Sequence, residues 1–294
     1  MQVPERLPDR TREVCSGDCK PSKYEDGHKG GSYFCYNLLA ELDTPGEFYL
    51  NRSDAALYIW PLNPSQYGFA NVTASKLKNI VEVGSGAKAV EFRGLHFRHS
   101  RMSAVVMTDA HDSLITGGSV GLVGAMGVNI SGGTNNTVAS VIVTGCGSGG
   151  VFLDGGDRST LTPSNHSLID SEIRGNSRWV YAMCPAVFLG GVNQTVHNTA
   201  ISDHPHCGVW VQGNDHTFED NKVSDVCTLA LDSGALYAGR DYTYRGNRVV
   251  DNTFSHGNYT SSPPLLVIHN GRLLTDCLCF QSALSPVTIR RLCI

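Results

Sequence analysis

Gly150-Val151-Phe152-Leu153, Ala186-Val187-Phe188-Leu189, Gly208-Val209-Trp210-Val211 and Ala235-Leu236-Tyr237-Ala238 are four copies of one phrase, and Ala104-Val105-Val106-Met107 and Gly127-Val128-Asn129-Ile130 are two earlier ones. With Val105, Val128, Val151, Val187, Val209 and Leu236 as anchors, the steps are 23, 23, 36, 22 and 27 residues. A period of this size marks stacked supersecondary units that bury their apolar faces only against one another. A second apolar position follows each anchor, at Leu114, Val138, Leu168, Val196, Phe218 and Tyr244, and a third lies at Ser119, Val143, Ile173, Ile201, Val223 and Val249. Three short strands per unit, separated by Gly, Asn, Asp and Ser, predict an all-β chain wound as a right-handed parallel β-helix. About seven coils run from Val81 to Val250, the first carrying Val90-Glu91-Phe92-Arg93-Gly94-Leu95-His96-Phe97. Thr199, Asn221 and Asn247 are expected in register at the bend between second and third strands, and Asp203, Asp225 and Asp251 at another corner. An antiparallel sandwich would need two-residue hairpin turns, which are scarce here.

Composition fits this reading. The chain has 294 residues, 41% of them hydrophobic and only 17% charged, with 32 glycines. A net charge of −4 with no basic run argues against nucleic acid. No stretch approaches the roughly 18 apolar residues of a membrane span. Seven Asn-x-Ser/Thr sequons, at Asn51, Asn71, Asn129, Asn135, Asn165, Asn193 and Asn258, and ten cysteines point to an extracellular protein. Turns of such a helix are themselves rich in Asn, Ser and Thr, which accounts for part of the sequon excess. Cys207 and Cys227 fall at adjacent corners, where they pair or simply pack.

Along the chain, residues 1–35 are expected as a loop-rich start and 36–80 as a small module of a short helix, a turn and two strands. The parallel β-helix occupies 81–256. The tail, 257–294, matches neither a coil nor a capping helix. Met1 to Arg12 has no apolar core and is no signal peptide. The expectation is therefore a secreted protein whose gene model lacks its true N-terminus, with a truncated, mis-spliced or disordered C-terminal end. Insertions at Asp154–Asn165, Arg174–Pro185 and Ser224–Gly234 are the long loops that could build a functional face.

Strand alternation turns the middle residue of each phrase outward, giving a row of Val106, Asn129, Phe152, Phe188, Trp210 and Tyr237. Its last four members predict an aromatic stripe on which a pyranose could stack, unless a loop or the N-terminal module covers it. Polar residues crowd its last two coils: Asp203-His204-Pro205-His206 and Asp232 upstream, Asn214-Asp215-His216 and Arg240-Asp241 downstream. Asp203 with Asp232, and Asp215 with Asp241, are the expected corner pairs. Carboxylates about 5–5.5 Å apart suit retaining glycosidases, and about 6.5–9.5 Å inverting ones. Asp203, Asp232 and Asp241 are therefore the catalytic candidates. His204, His206, Trp210, Asp215, His216, Tyr237 and Arg240 are candidates for substrate binding. The competing reading is that these acids cap turns. His204 and His206 lack a third histidine at a supporting spacing, so no metal or other cofactor is expected.

The run from Asp203 to Asp241, with Leu42-Asp43-Thr44-Pro45-Gly46-Glu47-Phe48-Tyr49-Leu50 and Gly155-Gly156-Asp157-Arg158, resembles the secreted β-helix proteins of the pectin-lyase-like superfamily. Within it, the chain is most similar to the β-helical glycoside hydrolases that include an α-L-fucosidase and xylanases. The resemblance implies a monomer that cleaves a complex polysaccharide. Polygalacturonase and pectate lyase signatures are not seen. A non-catalytic carbohydrate-binding or cell-surface β-helix, and a polysaccharide lyase using Arg240 or Arg245, are the alternatives.

Overall fold

The computed structural model describes residues 36–62, 72–230, 233–239 and 241–255, and the backbone of strands 266–269 and 287–293. The chain divides into two units, Met1–Val72 and Thr73–Ile294. In the first, a 3-10 turn at Leu39–Glu41 precedes an antiparallel hairpin of β1 (Phe48–Asn51) and β2 (Ala56–Ile59). Asn51 Oδ1 accepts from the Ser53 N–H and hydroxyl, the local bond that sets the turn.

The second unit is all-β, with strands recurring in threes. They are β3 (Val81–Val83), β4 (Glu91–Arg93), β5 (His96–Arg98); β6 (Val105–Thr108), β7 (Leu114–Thr116), β8 (Ser119–Gly121); and β9 (Val128–Ser131), β10 (Thr137–Ala139), β11 (Ile142–Thr144). Then follow β12 (Val151–Asp154), β13 (Ser167–Ile169), β14 (Glu172–Arg174); β15 (Val187–Val192), β16 (Thr195–His197), β17 (Ala200–His204); and β18 (Val209–Asn214), β19 (Thr217–Glu219), β20 (Lys222–Val226). The last are β21 (Leu236–Gly239), β22 (Arg248–Ser255), β23 (Leu266–His269) and β24 (Val287–Cys293). First strands pair in one eight-stranded parallel sheet, β3 through β23. Second and third strands form a fourteen-stranded sheet whose two parallel arms meet at β22. This is the strand arrangement of a β-helix-like fold.

The core is a set of aliphatic columns. Val81, Val105, Val128, Val151, Val187, Val209 and Leu236 are in register. From Val105 onward every member is fully buried. Burying such a side chain contributes about 1.5–3 kcal/mol. The second column is Phe92, Ile115, Val138, Leu168, Val196, Phe218 and Val249. The third is Phe97, Val120, Val143, Ile173, Ile201, Val223 and Phe254. Four expected positions are thereby corrected: Ile115 stands in place of Leu114, Val120 of Ser119, Val249 of Tyr244 and Phe254 of Val249. A three-residue strand turns only its middle side chain into the core, as at Ile115 and Val120, so a one-residue slip beside them is invisible to spacing. The last two shifts arise because residues 240–247 join β21 to β22 whereas 215–216 join β18 to β19. The same insertion puts Asn252, not Asn247, beside Asn221, and moves Asp251 next to Asp220, away from Asp203 and Asp225.

Buried polar ladders hold the corners. At the bend after the first strand, each backbone N–H donates to the equivalent side chain one coil on. Ser113 N–H donates to Asn136 Oδ1, Asn136 to His166 Nδ1, His166 to Gln194 Oε1, Gln194 to His216 Nδ1, and His216 to Asn247 Oδ1. These bonds satisfy backbone donors that the turn withholds from the sheet. The residue before each rung is left-handed: Asp112, Asn135, Asn165, Asn193 and Asp215 have φ between 52° and 60°, a region Asn and Asp tolerate. Asn193 Nδ2 donates to Asn165 Oδ1, Asn165 Nδ2 to Asn135 Oδ1, and Asn135 Nδ2 to Asp112 Oδ1. Three of the sequons are thus corner asparagine, inward rung and first strand residue.

The tail, expected to hold no coil, contributes two strands. β23 extends the eight-stranded sheet in parallel, Leu236 opposite Leu266. β24 runs antiparallel along β22, Val249 opposite Leu292, and covers backbone groups that a sheet edge would expose.

Candidate functional site

The outer face of the eight-stranded sheet carries Glu82, Val106, Asn129, Phe152, Phe188, Trp210 and Tyr237 in register. The aromatic members touch in sequence. Phe152 and Phe188 stack in parallel with centroids 4.4 Å apart, Phe188 meets Trp210 edge-on at 6.4 Å, and Trp210 meets Tyr237 edge-on at 5.4 Å. His206 lies 6.2 Å from the Trp210 ring. Of the two expected forms, an open platform and a covered stripe, the row departs from the first in two ways. Phe152 and Phe188 spend facing surfaces on each other, and Trp210 and Tyr237 are only 9% and 4% exposed. Trp210 Nε1 and Asn129 Oδ1 are buried in this row without a hydrogen-bond partner. Each such group costs about 1–3 kcal/mol until something bonds it.

Beside this row run Thr108, Ser131 and Asp154, and further on Gly190 and Gln212. A Cβ on Gly190 would lie 2.5 Å from Asp154 Oδ1 and 2.8 Å from the Phe188 ring, so the glycine leaves a notch over which the carboxylate leans. Burial pushes the Asp154 carboxyl above its usual range, and a Gly155 N–H partly opposes this.

The best-organised polar cluster lies at the C-terminal ends of these strands. Arg158, on the loop after β12, donates through Nε to Asn214 Oδ1 at 3.0 Å and through Nη2 to Thr243 Oγ1 at 2.6 Å. Its Nη2 is 3.5 Å from Asp241 Oδ2, and its guanidinium sits 4.6 Å from the Tyr244 ring centroid. Asp241 Oδ1 accepts from the Thr243 hydroxyl at 2.6 Å and N–H at 2.9 Å. The Thr243 bonds, aided by the Arg158 charge, hold the Asp241 carboxyl below its usual range. Asn214 Nδ2 donates to the Thr243 carbonyl at 2.8 Å. The loop can reach so far because Gly156, at φ 83°, turns tightly: a Cβ there would meet the Thr162 carbonyl at 2.5 Å.

Of the candidates named from sequence, Asp232 and Arg240 lie outside the described residues. Asp203 is an exposed left-handed corner residue in β17, before β18, whereas Asp241 follows β21. A six-residue strand spans about 20 Å, so the two stand at opposite ends of the face. Asp215 is the left-handed corner residue before the His216 rung, and Gly246 takes that place on the next coil. His204 is fully buried, its Nε2–H donating to the Cys184 carbonyl at 2.7 Å; burial pushes its pKa down to about 4. His216 is a rung of the buried ladder and is pushed to about 4 by the same cause. His206 is 8% exposed, with Nδ1 3.1 Å from Cys207 Sγ. Both His204 and His216 are therefore engaged with backbone, and neither presents an open surface.

Arg158, Asp154 and Thr243 carry no site role from sequence, Arg158 entering only within the Gly155–Arg158 resemblance, and Tyr244, expected in the core, instead lies under the Arg158 guanidinium. For Asp154 a signal existed, since it ends the same phrase as Ser131 and alternation turns it outward. Among the described residues no group of three or more His, Cys, Asp or Glu side chains could hold a metal ion. No helix among them is long and apolar enough to cross a membrane. No family model matches the chain, and no curated protein matches it either.

Proposed function

We propose that the chain is a right-handed parallel β-helix of about seven coils whose outer sheet face recognises a glycan. The observation that carries this reading is the Arg158–Asp241–Thr243–Asn214 cluster. It joins three separate parts of the chain and leaves the Arg158 and Asp241 side chains 35% and 36% exposed. An ionised carboxylate fixed in this way is a directed acceptor for sugar hydroxyls. Arg158 is already spent on Asp241, Thr243 and Asn214, which favours neutral or amino sugars over uronates. Tyr242, 87% exposed, supplies an aromatic surface beside Asp241.

Hydrolysis is the second reading, favoured by the opposite environments of Asp154 and Asp241, one carboxyl pushed up and the other held down. Distance weighs against that pair. Asp154 and the end of β21 are three strands apart, about 14 Å at roughly 4.8 Å per strand, beyond the roughly 9.5 Å of an inverting pair. Binding is therefore preferred. A glycan array followed by calorimetry on its hits tests it: binding weakened at least tenfold in both Arg158→Ala and Asp241→Asn supports the reading. Reducing-sugar release from a bound glycan, abolished by Asp232→Asn, would replace it with hydrolysis. An array without hits would remove both.

A further inference from the structure

Away from that face, the corner between the second and third strands is concave. Left-handed residues Ser140, Asp170, Asn198 and Asp220, with φ of 47° to 56°, fold the chain sharply inward on four successive coils. The residues just after them, Val141, Ser171 and Thr199, are buried and form the floor. Ile142, Glu172, Ala200 and Lys222, each the first residue of a third strand, make the opposite wall. The result is a groove of about 590 Å³ along the stacking direction, about 14 Å from first rung to last.

We infer that this groove binds a neutral, linear oligosaccharide lying along the stack. The ligand must be extended, because the groove is lined from four successive coils about 4.8 Å apart and so runs about 14 Å along the stack. It must be recognised through side chains. The backbone N–H of Val141 already donates to Ser171 Oγ at 3.2 Å, and those of Thr199 and Asn221 to Asn221 and Asn252 Oδ1 at 2.8 Å. An added peptide strand would therefore find no free edge here. What the walls offer is acceptors and donors matched to hydroxyls. Asp170 Oδ1 accepts from Asn198 Nδ2 at 2.7 Å, which fixes both side chains at the rim. Asp220 Oδ2 lies 3.3 Å from His197 Nε2. Ile142 and Ala200 add small apolar surfaces for sugar C–H groups. Three carboxylates against Lys222, with Glu172 paired to Arg174 at 2.6 Å, exclude polyuronates and nucleic acids by repulsion.

Calorimetry of the full chain with cellohexaose, xylohexaose and mannohexaose tests the site, with polygalacturonate and hexalysine as charged comparisons. At least one neutral hexaose should bind, at least tenfold weaker to Ala200→Trp, which fills the groove from its wall, and to Asn198→Ala, which removes a rim donor without adding bulk. The site is separate from the sheet-face cluster, so Arg158→Ala should leave this affinity within twofold. Hexaose binding that is lost in Arg158→Ala but kept in both groove variants overturns the groove and leaves the sheet-face reading standing. Binding of hexalysine or polygalacturonate without any hexaose, or of none of the five, overturns it as well.

Discussion

Acid should unfold this protein in a way set by three buried imidazoles. His166 and His216 accept a backbone N–H through Nδ1, from Asn136 at 3.2 Å and Gln194 at 2.9 Å, and so must keep that nitrogen unprotonated. Their Nε2 atoms face the Gly132 and Gln212 carbonyls. His204 donates to the Cys184 carbonyl and leaves Nδ1 buried without a partner. Burial is the main cause that lowers all three from 6.5 to about 4, helped by His111, Arg158 and His206 respectively. The unfolded chain takes up these protons near pH 6.5 and the folded chain only near pH 4. Between those values the unfolded state binds more protons, so stability falls as pH drops and the loss is complete below about 4. Each ring costs about 2 kcal/mol at pH 5 relative to pH 8, and about 3.4 kcal/mol in full. Three rings together cost about 6 kcal/mol at pH 5, a large part of the roughly 5–15 kcal/mol that folded domains possess. Urea unfolding between pH 5 and pH 8 measures this. The ladder also names the control, because Gln194 does in one coil what His166 and His216 do in others. His166→Gln with His216→Gln should remove about two thirds of the pH slope while leaving pH 8 stability within about 2 kcal/mol. An unfolding midpoint flat from pH 8 to pH 5, or a double variant with the original slope, would refute the argument.

Gly191→Ala should cost about 2–4 kcal/mol in urea unfolding, since φ is 72° and a Cβ would collide with the Gly155 carbonyl oxygen. Expressed through a secretory host, the folded chain should carry no glycan on Asn135, Asn165 or Asn193, whose amides donate along the corner ladder. Peptide mapping checks this, and glycans on two neighbouring members would contradict the ladder. Burial pushes the thiols of Cys146 and Cys227 up to about 12 and about 11 and raises Cys207 as well. At pH 8 an aromatic disulfide reagent should therefore label these three only at the rate of unfolding. Rapid labelling of the native chain would mean that these corners open locally.

Much of the architecture was legible because an inward residue recurring every 22 to 27 positions, with one step of 36, has few physical explanations. Val128, Val151, Val209 and Leu236 stack as their spacing implies. Position within a strand was less legible. Leu114-Ile115 and Ser119-Val120 offer two residues where one is needed, and only hydrogen-bond register chooses between them. The sequons were ambiguous for a related reason, since a corner Asn, an inward rung and a Ser or Thr spell the same triplet as a glycan acceptor.

What the sequence determined by itself is the period and the alternation. Both are local properties of an extended chain, and together they select parallel stacking of all-β units and the residues that face inward. What only tertiary structure decided is which polar groups meet. Arg158 reaches Asp241 across 83 residues, Trp210 is covered and not open, and His216 is turned inward to hold a neighbouring coil. Those outcomes depend on loop lengths and on the register between coils, where a slip of one residue reverses the facing of a side chain.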